Sequence, residues 1–245
     1  MTSLNRWLIV IPARLNSTRL PRKLLMDIGG KPLIARAYDT TSDMRACGAR
    51  VVVATDSHEI KDVCQTLSID SEITAESHVS GTDRCAEVAA KYACEFIMNV
   101  QGDEPFLEPS DLTSLAKFFE KNSRYDIATL AAPCTDRNKF SDSNIVKIVV
   151  GQNQKALYFS RAAIPHVQNI DTPILFWFHI GVYAFRKNSL ARFIELKPST
   201  LELRENLEQL RALENGMNIG VSYAKSPSLN INTLSDLNDA RKAFQ

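Results

Sequence analysis

Short apolar runs alternate with helix-patterned stretches through the first half of the chain, and this alternation constrains the fold more than any other feature. Trp7 to Ala13, Arg50 to Thr55 and Phe96 to Val100 read as strands, and residues 32–46, 57–67 and 82–94 between them read as helices. Such an order predicts a largely parallel sheet covered by helices. Pro32 suits a first helical turn, where its missing N–H costs nothing. Farther on, residues 126–133, 144–150, 156–160 and 178–185 read as strands with no comparable helix between several of them, so the sheet is expected to become mixed. Ser199 to Asn215 reads as one helix, with Leu203, Leu207, Leu210 and Leu213 at helical spacing and Gly216 as its stop. Glu208 and Gln209 then face away from the leucine ridge.

Open α/β sheets bind ligands in the crevice beyond the carboxyl ends of their strands. Two strand exits in this chain carry the chemistry for that. The first runs into Arg14, Arg19, Arg22 and Lys23, four cations within ten residues interleaved with Ser17, Thr18 and Pro21. Arginine forks and a lysine point charge suit a polyphosphate, and the hydroxyls add neutral donors. Neither a Walker loop nor a dinucleotide fingerprint is present. The second exit, after Phe96 to Val100, delivers Gln101-Gly102-Asp103-Glu104-Pro105. A carboxylate there can hold Mg²⁺, which is commonly shared between one or two protein carboxylates and substrate phosphates. Turn chemistry accounts for the same letters. A third loop, Ser77 to Arg84, leads into a helix, so its backbone donors and hydroxyls could receive a base or ribose. Asp83 and Glu87 would complement that helix's dipole, and His78 reads as a surface loop residue.

The formal net charge of +1 argues against general electrostatic affinity for nucleic acid, which draws on clustered Lys and Arg. The local basic loop therefore points to a small phosphorylated ligand. Five scattered cysteines without a Cys-x-x-Cys pair read as small buried residues in a reducing compartment. No stretch is long and apolar enough to predict a bilayer span, so a cytoplasmic protein with no membrane insertion is expected. The 245 residues suffice for a single domain spanning 1–245, and no linker or repeat interrupts them.

Several short motifs occur together and in order: Pro12-Ala13-Arg14 with Ser17-Thr18-Arg19-Leu20-Pro21 and Lys23, Ala54-Thr55-Asp56, Ser80-Gly81-Thr82-Asp83-Arg84, and Asn99 to Pro105. Ala156 to Arg161, His179-Ile180-Gly181-Val182-Tyr183 and Leu207 to Arg211 follow. Together they span nearly the whole chain and resemble the 3-deoxy-manno-octulosonate (KDO) cytidylyltransferases. The resemblance implies a nucleotide-diphospho-sugar transferase-like (Rossmann-like) α/β fold with a mixed, mainly parallel sheet, helices on both faces and a small dimerisation and sugar-binding subdomain. It implies a Mg²⁺-dependent nucleotidyltransferase that moves CMP from CTP to an acidic eight-carbon sugar for lipopolysaccharide biosynthesis, working as a homodimer. Pro12, Ala13, Arg14, Lys23, Ser80, Gly81, Thr82 and Arg84 would then bind the nucleotide. Arg14, Arg19, Lys23 and Asp103 would carry catalysis, and Asp103 with Asn232 would hold the metal. Gln101, Arg161, His179, Tyr183, Glu208 and Gln209 would form the sugar pocket.

Three departures stand out. Where the resembled family usually reads Pro-Gly-Lys, this chain has Pro21-Arg22-Lys23. Where it typically carries an Asp to assist Asp103, this chain has Asn232, whose amide oxygen can coordinate Mg²⁺ but lacks the charge. Phe178 stands where a cation is often found. These keep two alternatives open: the same chemistry on a related acidic or amino sugar, and a weakly catalytic nucleotide-binding paralogue. Trp177 and Phe178 read as core residues, and Thr233 or Ser235 as the cap of a last helix that includes Asp236.

Overall fold

The computed structural model describes residues 3–15, 20–169 and 173–244. In chain order its elements are β1 (Trp7–Ala13), β2 (Asp27–Ile28), β3 (Lys31–Pro32), α1 (Leu33–Asp39), α2 (Ser42–Ala46), β4 (Arg50–Thr55), α3 (His58–Thr66), β5 (Ser71–Ile73), α4 (Gly81–Lys91), β6 (Phe96–Asn99) and α5 (Pro109–Lys121). There follow β7 (Ile127–Cys134), α6 (Arg137–Ser141), β8 (Lys147–Val150), β9 (Ala156–Ser160), β10 (Phe176–Arg186), α7 (Lys187–Glu195), α8 (Thr200–Glu205), α9 (Gln209–Glu214), β11 (Ile219–Tyr223) and α10 (Leu234–Ala243). Two compact units result, Met1–Thr113 with Ser228–Gln245 and Ser114–Pro227, the boundary falling within α5.

In the first unit, β1 pairs in parallel with β4 and β6, and β4 with β5, giving the order β6-β1-β4-β5. Ile9, Val10, Ile11, Val52, Val53, Ile97 and Met98 are all fully buried. Strands covered on both faces need such unbroken apolar runs, which is why these three were legible as strands. Helix α4 packs on β1, burying Cys85, Val88 and Ala89.

The expected helix over 32–46 is two helices. Thr40 and Thr41 turn their hydroxyls back onto the carbonyls of Ala37 and Tyr38, each at 2.7 Å, and this local bonding competes with helix continuation.

In the second unit, β10 runs antiparallel to β7 and β8, β9 antiparallel to β8, and β11 parallel to β7. The expected change to mixed pairing therefore occurs. A Cβ on Gly220 of β11 would lie 2.5 Å from the Tyr125 ring, so only glycine lets that ring lie on the strand. Ser199 to Asn215 is not one helix: Asn206, left-handed at φ 52°, separates α8 from α9. The chain turns there, and Leu203 ends up 71% exposed while Leu207 and Leu210 are buried. Trp177 and Phe178 are half-buried. Trp177 stacks on Tyr223 at 4.4 Å, and Phe178 packs against Cys134, Phe140, Ile174 and Phe176.

Among the described residues no helix is long and apolar enough to cross a membrane. The cysteines are free, three of them buried.

Candidate active site

Strand β1 delivers Pro12, Ala13 and Arg14 to the carboxyl edge of the first unit's sheet. The loop before α4 comes to meet them. A Cβ on Gly81 would lie 3.2 Å from the Pro12 ring, so the loop rests directly on the end of β1. Ser80 caps α4: its hydroxyl accepts the Asp83 N–H at 3.1 Å, and the Asp83 carboxylate accepts the Ser80 N–H at 3.0 Å. The Arg14 guanidinium donates to the His78 carbonyl.

His78 is thus more than a surface loop residue. Its Nε2 lies 2.5 Å from Glu87, which also accepts the Ala75 N–H at 2.9 Å. The Ala75 hydrogen bond, then the bond and charge of His78 and the charge of Lys91, outweigh desolvation and hold Glu87 below the usual carboxylate range. Glu87 anchors the loop instead of merely facing the helix dipole.

A cavity of about 420 Å³ opens beside these residues, lined by Arg14, Leu15, Asp56, Ser57 and Glu76. That volume falls within the range of small-molecule sites.

Thr82 and Arg84 are buried, Arg84 completely. The Arg84 guanidinium donates to Asp56 at 2.8 Å and to the Thr74 hydroxyl. Arg84 therefore lies beneath the cavity wall, orienting Asp56, and presents no surface of its own to a ligand.

The loop after β6 meets the segment between β1 and β2 through Lys23. Its Nζ donates to Asp103 Oδ2 at 2.6 Å and to the Ile231 carbonyl at 2.7 Å. The Ile231 N–H returns a bond to the Asp103 carbonyl at 3.0 Å. A Cβ on Gly102 would stand 3.1 Å from the Pro12 carbonyl, so glycine lets this turn lie against the end of β1 without displacing it. Lys23 is buried, whereas the Asp103 side chain keeps 25% of its surface exposed. Asn232 directly follows Ile231, and its N–H, with that of Thr233, binds Asp236, the N3 residue of a capping box led by Thr233.

This donor set fits Mg²⁺ in an open manner. Among the described residues no group of three or more His, Cys, Asp or Glu could cage a metal. Asp103 and Asn232 offer hard oxygens, leaving further positions for phosphates and water. Gln101 lies two residues beyond β6 in the same unit, its amide donating to the Asn99 side-chain oxygen at 3.0 Å. Arg19, with Ser17 and Thr18, lies outside the described residues.

The remaining candidates for the sugar pocket belong to the second unit. Arg161 directly follows β9 and donates from Nε to the Glu205 carbonyl (2.8 Å), from Nη1 to that of Ser143 (3.1 Å) and from Nη2 to that of Asn206 (3.3 Å). Among the described residues these bonds leave one of its five N–H donors on each terminal nitrogen.

His179 is buried in β10, edge-on to Phe159 and 5.6 Å from the Tyr183 ring. Burial pushes its pKa down to about 3, so the ring is neutral near pH 7. The Thr129 hydroxyl lies 3.0 Å from His179 Nε2, 3.2 Å from the Ile180 carbonyl and 2.8 Å from that of Val182. Its single proton serves a carbonyl, which assigns the shared proton with His179 to Nε2. A bulge between Ile180 and Tyr183 interrupts the strand's period-two alternation, yet the His179 and Tyr183 rings remain neighbours.

Glu208 and Gln209 open α9. Gln209 is only 7% exposed, and its amide nitrogen has no partner among the described residues. A buried donor left unmade is costly, which suits a group completed by a ligand.

A cytidylyltransferase family profile matches residues 8–219 of the chain. The 3-deoxy-manno-octulosonate cytidylyltransferase of Polynucleobacter necessarius is 42% identical over 242 residues, covering 96% of this chain and 94% of its own. That of Chlorobium phaeobacteroides is 42% identical over 240 residues, covering 97% and 96%. A solved structure of CMP:2-keto-3-deoxy-manno-octonic acid synthetase complexed with CTP superposes with a TM-score of 0.91 at 35% identity, covering 97% of this chain and 98% of that one.

The chain belongs to the 3-deoxy-manno-octulosonate cytidylyltransferase family.

Set within this cytidylyltransferase family, the three departures acquire structural addresses. Arg22 takes up a left-handed conformation, φ 58° and ψ 21°, where glycine is at ease, and pairs with Glu59 on α3. Asn232 sits one residue from the Ile231 backbone that binds both Lys23 and Asp103. Phe178 is part of an apolar cluster and faces Lys147 across the β8–β10 pair.

Proposed function

We propose that this cytidylyltransferase transfers CMP from CTP to 3-deoxy-manno-octulosonate, giving CMP-KDO and pyrophosphate. The observation that carries the reading is the junction of Lys23, Asp103 and Ile231, which puts a phosphate-seeking cation and a metal-seeking carboxylate at adjoining strand exits. The full-length relatedness to KDO cytidylyltransferases supports the same reading.

Pro12, Ala13, Arg14, Ser80, Gly81 and Thr82 seat the nucleotide, with Arg84 acting through Asp56. Lys23 keeps one N–H beyond the two already engaged and turns it, with Arg14, to the phosphates. Asp103 and Asn232 are the residues that would hold Mg²⁺. When bound, the ion offsets phosphate charge and orients the triphosphate. The anomeric hydroxyl oxygen forms a bond to the α-phosphorus as the bond from that phosphorus to pyrophosphate breaks, and one proton is released overall. Such chemistry rests on positioning and electrostatics, so no protein nucleophile is required. In the second unit Arg161 supplies charge to the sugar carboxylate, while neutral His179, Tyr183, Glu208 and Gln209 supply neutral and anionic hydrogen-bonding groups to its hydroxyls; Gln101 is the sugar candidate of the first unit. A cytoplasmic homodimer feeding lipopolysaccharide assembly belongs to the same proposal.

The Phe178 cluster favours one second reading, a related acidic or amino sugar as the natural acceptor. Incubating the protein with CTP, Mg²⁺ and either KDO or its 8-amino analogue, with mass detection of the products, tests both. CMP-KDO formed at the higher kcat/KM supports the first reading; a preference for the amino sugar supports the second. CTP bound without any CMP-sugar formed refutes both.

A further inference from the structure

One buried cation in the second unit lies outside every motif considered so far. Lys147, on β8, has no exposed surface. Its ammonium donates to three backbone carbonyls: Asp142 at 2.8 Å, Ile145 at 2.8 Å and Arg161 at 2.6 Å. These use all three of its donors. Burial draws its pKa below the ordinary lysine value, with Asp142 and Glu205 opposing that shift and Arg161 adding to it. A full charge held on neutral acceptors is an expensive way to close a loop, since an apolar side chain in an apolar strand would cost less. What the charge achieves is geometric. It fixes the 142–145 loop and the end of β9 to one point.

The far side of Arg161 is fixed as firmly. The Glu205 carboxylate accepts the Ser160 hydroxyl at 2.6 Å and the Arg161 N–H at 2.9 Å. The Arg161 side chain then spans the Ser143, Glu205 and Asn206 carbonyls. Asn206 is the left-handed hinge that leads to Glu208 and Gln209. Lys147 thus holds the Arg161 backbone from one side, Glu205 holds it from the other, and the guanidinium ties both to the segment carrying the remaining sugar candidates.

We propose that Lys147 is a positioning residue for recognition of the acidic sugar: it does not touch the sugar, and it sets Arg161 so that the two unused guanidinium N–H groups meet the sugar carboxylate. This rests on the reading of Arg161 as part of the KDO pocket.

The test is steady-state kinetics of the full-length Lys147→Met variant, varying CTP and KDO separately. Methionine keeps the volume and removes the donors. The expected result is a KM for KDO raised at least tenfold, with the KM for CTP within twofold of the parent. A structural role alone would lower the active fraction, reducing kcat and leaving both KM values in place; that result overturns the proposal. Lys147→Gln, which retains two donors, should give a smaller rise in the KM for KDO, again without a change for CTP. If neither variant can be recovered folded, Lys147 is a folding determinant and the proposal fails. A parent protein that forms no CMP-KDO overturns the functional reading itself, an outcome distinct from parent activity without the KM split in the variants.

Discussion

Lys23 Nζ lies 2.6 Å from Asp103 Oδ2, so the cation of the basic loop and the carboxylate after β6 neutralise one another. The same ammonium holds the Ile231 carbonyl, which makes it the tie among three segments of the first unit. Lys23→Met should therefore cost about 1–3 kcal/mol of stability by leaving a carbonyl and a part-buried carboxylate without their donor. It should also lower kcat/KM on the order of 10²–10³-fold, as loss of one electrostatic stabiliser does. Denaturant unfolding and turnover measured on the same preparation separate the two effects; loss of stability with full turnover would count against a role for Lys23 in the phosphate site.

Arg22 departs from glycine at a position that is left-handed in this structure. The strain of a side chain there is roughly 1–2 kcal/mol. The Arg22–Glu59 pair is substantially exposed and contributes about 0–1 kcal/mol. Arg22→Ala keeps the strain and loses the pair, whereas Arg22→Gly loses both. The glycine variant should be the more stable of the two by about 1 kcal/mol, read from urea midpoints. Equal midpoints would mean that the loop does not hold this conformation in solution.

Asn232→Asp adds a second carboxylate one residue from Ile231, whose N–H binds the Asp103 carbonyl, with almost no change in volume. The concentration of Mg²⁺ needed for half-maximal rate should fall several-fold, because hard cations bind more tightly as ligand charge increases. An unchanged Mg²⁺ dependence would remove Asn232 from the metal site.

His179 gives the fold a signature in acid. Its pKa is pushed down to about 3 by burial, against about 6.5 for an unfolded histidine. Between those values the unfolded chain binds a proton that the folded chain refuses, so this residue's contribution to stability is present above pH 6.5 and is lost as the pH falls toward 3. Within the window the slope is on the order of 1.4 kcal/mol per pH unit. Comparing the parent with His179→Gln across pH 4–7 should show that slope reduced in the variant. Parallel curves would show that the ring takes up a proton as readily in the folded protein as in the unfolded chain.

The strands that position the site were legible because burial on both faces leaves an unmistakable mark: β1 and β4 cover the same spans, Trp7–Ala13 and Arg50–Thr55, that the sequence pattern marks as strands. The breaks were not. Thr40 and Thr41 divide a helix through hydroxyl bonds that propensity alone does not reveal, and Asn206 divides another because Leu207 and Leu210 bury themselves while Leu203 does not. β5, Ser71–Ile73, has no apolar run and is half-buried throughout. At the site, the basic loop and the Asp103 turn stood out by composition, but the partners of those residues did not. Arg84 reads as a ligand contact by its motif, and only its zero exposure and its bonds to Asp56 and Thr74 place it underneath. His78 and Glu87 are nine residues apart, at a spacing no motif flags. Lys147 sits in a strand-like run where one lysine among valines and isoleucines suggests an exposed edge, and its acceptors are backbone carbonyls invisible to any side-chain pattern.

The most direct test of nucleotidyl transfer follows the α-phosphate. CTP labelled there is incubated with the protein, Mg²⁺ and KDO, and the products are separated. The account predicts label in a sugar nucleotide of the mass of CMP-KDO, dependent on the sugar, with an equal amount of unlabelled pyrophosphate. Label confined to CTP or free CMP, with no sugar nucleotide formed, would contradict it.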